Sequence, residues 1–356
     1  MADERQKKTG YIRVSTVDEK PKKNGTLEDI ARLCNLSVSS VSRVLNNEPG
    51  VSASTRRRVL ETAQELGYTP RKRKRPLTRS MLNLVVVVPE EREMAENPFF
   101  NIPELLGAIN EAFMDEKKRV EVVSISDFQE YVDSDIQEID GIILAYRSVE
   151  VDVRERFQQN GIPYIFLSRM IEGENYVACN CYKAFVELGR HLVDLGHTKI
   201  GYLGNGGNPN NVDRYRGYHT ALFEAGMSAA DEVAMHIEDI FAVDRACAEH
   251  FIGQSCDAVM CFNDYMAIRL IHQLDELGIS VPEGMSVTGF DDSPLRKVFR
   301  PRLTTVKQPT YAMGFLASRW LRENILNRSH RPLRVEVDGK LLVGESAPAR
   351  TPGAGA

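Results

Sequence analysis

From residue 82 onward the chain repeats one pattern: a short continuous apolar run, then a longer stretch with apolar residues at helical spacing. LNLVVVV (82–88), RVEVVSI (119–125), GIILAY (141–146) and IPYIFLS (162–168) are the first runs, with PELLGAINEAFMDEK and VDVRERFQQNG between them. A strand that is apolar without alternation is buried on both faces, as happens in parallel sheets covered by helices. A second series follows: KIGYLGN, an amphipathic stretch from Tyr215 to Gly226, DAVMCFND, AIRLIHQLDELG and SVTGFDD. Two such series predict two doubly wound α/β lobes with parallel sheets. Ligands of such sheets sit beyond the carboxyl ends of the strands. Ser168, Asn263, Asp264, Asp291 and Asp292, which end strands, are therefore the candidate site residues.

Little in the body points to catalysis. GNGGN (204–208) matches neither GxGxxG nor GxxxxGK[ST] and reads as a strand-end turn near the ligand cleft. No nucleophile stands with a base, no HxxxH occurs, and Asp291 and Asp292, being adjacent, point to opposite sides. Six cysteines form no CxxC and seven histidines are scattered, so neither a metal site nor a cofactor is expected. Buried thiols in a reducing cytoplasm are the expectation. No apolar window is long enough for a membrane helix, and residues 1–24 lack a signal-peptide core and read as a disordered arm.

Charge divides the chain. Residues 1–80 carry +9 and the remainder −14, giving the formal −5. RKRKRPLTRS (71–80) places six basic residues in ten, a density that calls for an anionic surface opposite. Residues 25–70, between arm and basic run, read as three short helices. Thr26 caps the first, with Asp29 completing a capping box. Leu27, Ile30, Ala31 and Cys34 form its apolar face. Asn35-Leu36-Ser37 makes a tight turn into a second helix, whose valines 38, 41 and 44 point inward. Ser39, Ser40, Ser42 and Arg43 face out. A third helix begins at Ser52 and stops at Gly67. Two short helices about a tight turn are a helix-turn-helix. Small hydroxyls let the second helix lie deep in the major groove, where Arg43 reaches a guanine edge or a phosphate. Arg56, Arg57 and Arg58 suit phosphate clamps.

LEDIARLCNLSVSSVSRVLNNEPGVSASTRRRVLETAQELGYTP resembles the DNA-binding head of the lactose-repressor (LacI/GalR) family of bacterial transcription regulators, with SVSSVSRVLN at the recognition helix. The resemblance implies base contacts from Val38 and Ser39, base or backbone contacts from Ser42, Arg43 and Asn46, and a phosphate contact from Thr26. It also makes 71–81 a hinge, helical only on DNA, with Leu77 as the lever that wedges into the minor groove. Pro76 departs from that pattern and disfavours helical geometry at Arg75.

NPFF (97–100), RHLVDLGHTKIGYLG, RYRGYHTALFEAG, DAVMCFND, GISVPEGMSVTGFDD and LTTVKQP extend the resemblance over the effector domain, which is similar to periplasmic sugar-binding proteins. It implies lobe one at about 82–180 and 308–334, lobe two at about 181–307 and 335–347, and a disordered tail over 348–356. Phe99 and Phe100 would pack on the effector, Arg214 would bind its oxygens, Asn263 would donate and accept, and Asp291 would accept from hydroxyls. Ser168 stands where an aspartate is common, and Asn180-Cys181 where Asp-Asn is usual. Fewer acidic groups in the cleft favour a sugar acid or phosphorylated sugar over a neutral one. The whole reads as a cytoplasmic homodimeric regulator, a repressor, that binds a pseudo-palindromic operator in double-stranded DNA and responds to a small sugar-like effector. It is not an enzyme. A transport solute-binding protein and a DNA binder with a ligand-insensitive body are the alternatives.

Overall fold

The computed structural model describes residues 26–45, 52–66, 68, 81–90, 101–227, 232–329 and 331–347. Asn46, Leu77, Phe99 and Phe100, the hinge over 71–80, and both ends of the chain lie outside the described residues. The chain divides into two units, Met1–Lys74 and Arg75–Ala356.

The first unit is helical, with α1 (Leu27–Leu33), α2 (Val38–Leu45) and α3 (Ala53–Glu65). Thr26 Oγ1 accepts from Asp29 N at 3.2 Å while Asp29 Oδ2 accepts from Thr26 N at 3.0 Å, so both expected halves of the capping box form. Ser37 Oγ accepts from Ser40 N and Ser52 Oγ from Thr55 N, which starts α2 and α3 in the same way. Asn35 turns the chain in the left-handed region (φ 48°), where asparagine is among the best tolerated residues. Ile30, Ala31, Cys34, Val41, Val44, Val59 and Ala63 are buried together. A fully buried aliphatic side chain contributes about 1.5–3 kcal/mol, so this small core depends on each member. Val38 departs from the expectation that the valines point inward: it is 42% exposed. It occupies the first turn of α2, past the edge of the face that carries Val41 and Val44.

In the second unit, six parallel strands run in the order β2-β1-β3-β4-β5-β11. Their ranges are β1 (Leu82–Val88), β2 (Lys118–Ser124), β3 (Gly141–Ala145), β4 (Tyr164–Leu167), β5 (Tyr176–Cys179) and β11 (Arg334–Val337). Leu84, Val86, Ile143, Ile165 and Leu167 face one way, onto α4 (Ile102–Ala112) and α11 (Thr310–Asn327). Val85, Val87, Ile142, Leu144 and Phe166 face the other, onto α5 (Ile125–Asp135) and α6 (Val151–Gln159). Burial on both faces is why these strands are apolar without alternation.

The second sheet has the order β7-β6-β8-β9, again parallel, from β6 (Ile200–Asn205), β7 (Val233–Ile237), β8 (Ala258–Cys261) and β9 (Ser286–Thr288). Its helices are α7 (Cys181–Asp194), α8 (Asn211–Glu224), α9 (Arg245–Gly253) and α10 (Asp264–Glu276). α7 and α8 pack closely because Gly217 lies against α7: a Cβ there would stand 2.4 Å from Tyr182 O and 2.7 Å from Phe185 Cβ. Beside this sheet, β10 (Thr305–Lys307) pairs antiparallel with β12 (Lys340–Leu342). The chain thus returns to the first sheet through α11 and leaves it after Val337. That is later than the boundary expected at 334, because β11 completes the edge beside β5.

Candidate ligand cleft and nucleic-acid interface

The carboxyl ends of strands from both sheets converge on one cleft of about 210 Å³. The first sheet supplies Tyr146 and Ser168; the second supplies Asn205, Phe262, Asn263 and Asp291; Gln308 enters where β10 leads into α11. Ser168, Asp291 and Tyr146 all adopt positive φ (62°, 116° and 65°), an unfavourable geometry for non-glycine residues that collects at ligand sites.

Arg214, from the first turn of α8, is 3% exposed. Its guanidinium lies between the rings of Phe262 and Phe290, 4.0 Å from each centroid. Nη1 donates to the Phe262 carbonyl, and Nη2 stands 3.9 Å from Asp291 Oδ1. It is therefore a buried, stacked cation whose orientation is set before any ligand arrives. Asp291 in turn accepts from Gln308 Nε2. Burial pushes the Asp291 carboxyl up to about 7, against the Arg214 cation and the Gln308 amide, which hold it down.

Asn263 has two functions divided between its two polar atoms. Oδ1 accepts from Met266 N at 2.9 Å and caps α10. Nδ2 is fully buried and, like Arg214 Nε, has no hydrogen-bond partner among the described residues. A buried donor left unsatisfied costs about 1–3 kcal/mol, and two of them in one cleft wall are a standing requirement for acceptors. Asp264 lies behind the cleft: its carboxylate accepts from Thr305 Oγ1 at 2.6 Å and Ser293 N at 2.7 Å. Burial, then the charge of Asp291, push it up to about 8.

Contacts cross the cleft from one sheet's loops to the other's. Asn210 Nδ2 donates to the Ser168 carbonyl at 3.2 Å, Arg169 Nη1 to Asn208 Oδ1 at 3.3 Å, and Ser168 Oγ to Gln308 Oε1 at 3.5 Å. GNGGN forms the strand-end turn beside the cleft, with Gly207 and Asn208 in the lining. Sequence reasoning missed Tyr146, Asn210, Gln308 and the two rings that hold Arg214. It also missed Glu238 and Asp239, which follow β7 and bring two further carboxylates to the cleft. That corrects the premise of an acid-poor site. A polar pair just past a strand end is the same signal that marked Asp291 and Asp292, and it could have found them.

In the first unit, Ser39 and Arg43 are exposed along α2, Ser42 is half-buried, and Val38 projects beside them. Neither α2 nor α3 carries an acidic residue in its first turn, whereas α1 carries Glu28 and Asp29. The positive ends of α2 and α3 are thus capped by neutral hydroxyls and stay attractive to phosphate. Thr26 is less available than expected, since its hydroxyl donates to Asp29 Oδ2 at 2.8 Å within the capping box.

A helix-turn-helix unit joined to a body with a polar cleft between two parallel sheets defines a DNA-binding transcriptional regulator built on a periplasmic-binding-protein-like fold. The profile of bacterial regulatory proteins of the lacI family matches residues 26–71, and that of the periplasmic binding protein-like domain matches 190–347. The chain is 33% identical over 318 residues to the HTH-type transcriptional regulator MalR of Streptomyces coelicolor, covering 84% of this chain and 90% of that protein. It is 30% identical over 315 residues to catabolite control protein A of Priestia megaterium, covering 84% and 92%. The solved complex of the transcriptional regulator CelR with cellobiose superposes with a TM-score of 0.65 at 25% identity, covering 90% of this chain and 99% of that one. The chain belongs to the LacI family of bacterial transcriptional regulators. No helix among the described residues is long and apolar enough to cross a membrane.

Proposed function

We propose that the protein is a homodimeric repressor whose affinity for a pseudo-palindromic operator is changed by a small hydroxyl-rich ligand, a sugar or sugar derivative, bound between the two sheets. One observation carries the ligand reading. The buried donors Arg214 Nε and Asn263 Nδ2 lack partners among the described residues, beside the buried acceptor Asp291, in a cleft below the size typical of drug-like ligands. Planar donors and a carboxylate side by side suit vicinal hydroxyls, which both donate and accept. CelR, a structural relative, holds cellobiose. In the DNA-binding unit, Val38 and Ser39 contact bases, Ser42, Arg43 and Asn46 contact bases or backbone, Thr26 contacts phosphate, and Leu77 wedges into the minor groove. Phe99 and Phe100 cover the ligand's C–H face.

The ligand acts by preferring one arrangement of the lobes, and each ~1.4 kcal/mol of preference changes operator affinity tenfold. The test has two arms. Fragments of the source genome are passed over the purified chain and those retained are sequenced; a shared pseudo-palindrome is expected. A panel of neutral and acidic monosaccharides is then screened by thermal shift, and the hits are titrated into the operator complex. Retention of DNA without any shared motif, or a panel in which no sugar alters either melting or operator affinity, would refute the reading.

A further inference from the structure

Cys179 ends β5 and Cys181 begins α7, with Asn180 between them. Asn180 adopts φ −71° and ψ 81°, close to an inverse γ-turn, while its side chain caps α7 by accepting from Lys183 N at 3.0 Å. A γ-turn folds its flanking residues toward each other, bringing their Cα atoms within the roughly 4.4–6.8 Å that a disulfide spans. Each thiol lies close enough to the other to shift its titration, and the Arg214 cation acts on both. Both line a pocket of about 10 Å³ whose wall includes Ser168, Asn210 and Gln308, three residues that also line the main cleft. Roughly 10–15 Å³ holds one water molecule, so oxidants near that size enter and bulky thiol reagents do not.

We propose that Cys181 and Cys179 form a peroxide-reactive dithiol site in the wall of the ligand cleft, with Cys181 the attacking and Cys179 the resolving residue. The Cys181 sulfur displaces hydroxide from hydrogen peroxide and becomes a sulfenic acid. Cys179 sulfur then attacks it; the S–S bond forms and the oxygen leaves as water, taking the Cys179 proton. The two thiols supply both electrons. The neighbouring Cys179 thiol and the Arg214 cation hold the Cys181 thiol below its ordinary value, against its burial. Its place at the first position of a 14-residue helix acts in the same direction. Cys179 is pushed up by its Cys181 neighbour and by burial. The nearby carboxylates oppose the thiolates: Asp213 raises Cys181 and Asp291 raises Cys179. The remaining cysteines, at 34, 247, 256 and 261, are buried thiols too, but none has this pairing among the described residues.

The thiol chemistry stands or falls independently of the ligand reading. Reduced full-length chain is treated with a small molar excess of hydrogen peroxide, denatured in iodoacetamide and mapped by peptide mass spectrometry. The peptide holding both residues is expected to lose two hydrogens while the other four cysteines stay alkylated, and dithiothreitol should reverse the change. In Cys179→Ser, denaturing the peroxide-treated chain directly into dimedone should trap a sulfenic acid at Cys181. Even oxidation across all six cysteines, cross-linking between chains in its place, or a Cys181 inert in both proteins would overturn the assignment.

Discussion

Replacing Arg214 by methionine removes the cation but keeps an unbranched apolar stem between the two rings. At 3.9 Å, the Arg214–Asp291 attraction is worth about 4 kcal/mol at an effective dielectric constant near 20. The charge-assisted bond to the Phe262 carbonyl adds about 1.5–3 kcal/mol, and stacking on Phe262 and Phe290 about 2 more. Relief from burying the cation offsets much of this sum. Breaking one partner of a buried pair typically costs a net ~3–5 kcal/mol, which we expect for Arg214→Met at pH 8. The cost depends on pH. With its folded pKa raised to about 7, Asp291 is neutral in the native state at pH 5.5 and ionised at pH 8. Only the ionised carboxylate needs the cation, so the penalty should grow as pH rises from 5.5 to 8. In the wild type the raised Asp291 and Asp264 carboxyls make the native state the better proton binder and lower its stability over this range, while the lowered Cys181 thiol acts in the opposite direction. Urea unfolding can be followed through Trp320, the single tryptophan, which lies in α11 and so reports on the body. A penalty below about 1 kcal/mol at pH 8, or one equal at both pH values, would refute the assignment of Arg214 as the counter-ion of a buried acid.

Asn263→Ser keeps a capping oxygen for α10 but deletes the unpaired donor. Relief of the unpaired donor and the small cavity left by serine oppose each other, so body stability by urea melt should change by less than about 1 kcal/mol, while affinity for a sugar that binds the wild type should fall about tenfold by calorimetry. A loss of stability with affinity intact would make Asn263 a cap alone. Arg43→Ala should weaken binding to a recovered operator more than to random DNA in gel-shift titrations. Equal losses on both would reduce Arg43 to a phosphate contact. Gly217→Ala forces a methyl against Tyr182 O and Phe185 Cβ and should destabilise the body by about 1–3 kcal/mol in the same Trp320 melt. An unchanged midpoint would show that α7 and α8 can part at little cost.

The features legible in the residues are those whose physics closes within a turn or a strand. Thr26 with Asp29 and Ser52 with Thr55 are three residues apart, so their caps could be read before any fold was known. Continuous apolar runs announced strands covered on both faces, and the residues just past their ends announced Asn263 and Asp291. α5 escaped notice because it has few apolar residues to mark a face; it is held chiefly by Phe128 and Val132. The rest depended on distances between residues far apart in the chain. Arg214 became a buried plate because Phe262 and Phe290, at the ends of two other strands, close on it from either side. Gln308 reached Asp291, and Asn210 reached Ser168, because the chain crosses between the sheets. Glu238 and Asp239 entered the cleft for the same reason, since the ends of parallel strands meet only once the sheets face each other. Sequence alone determined the helix-turn-helix, the strand–helix alternation and the family, all local patterns or sums of them. The tertiary structure decided which charges are paired, which donors are left without partners and which thiols meet.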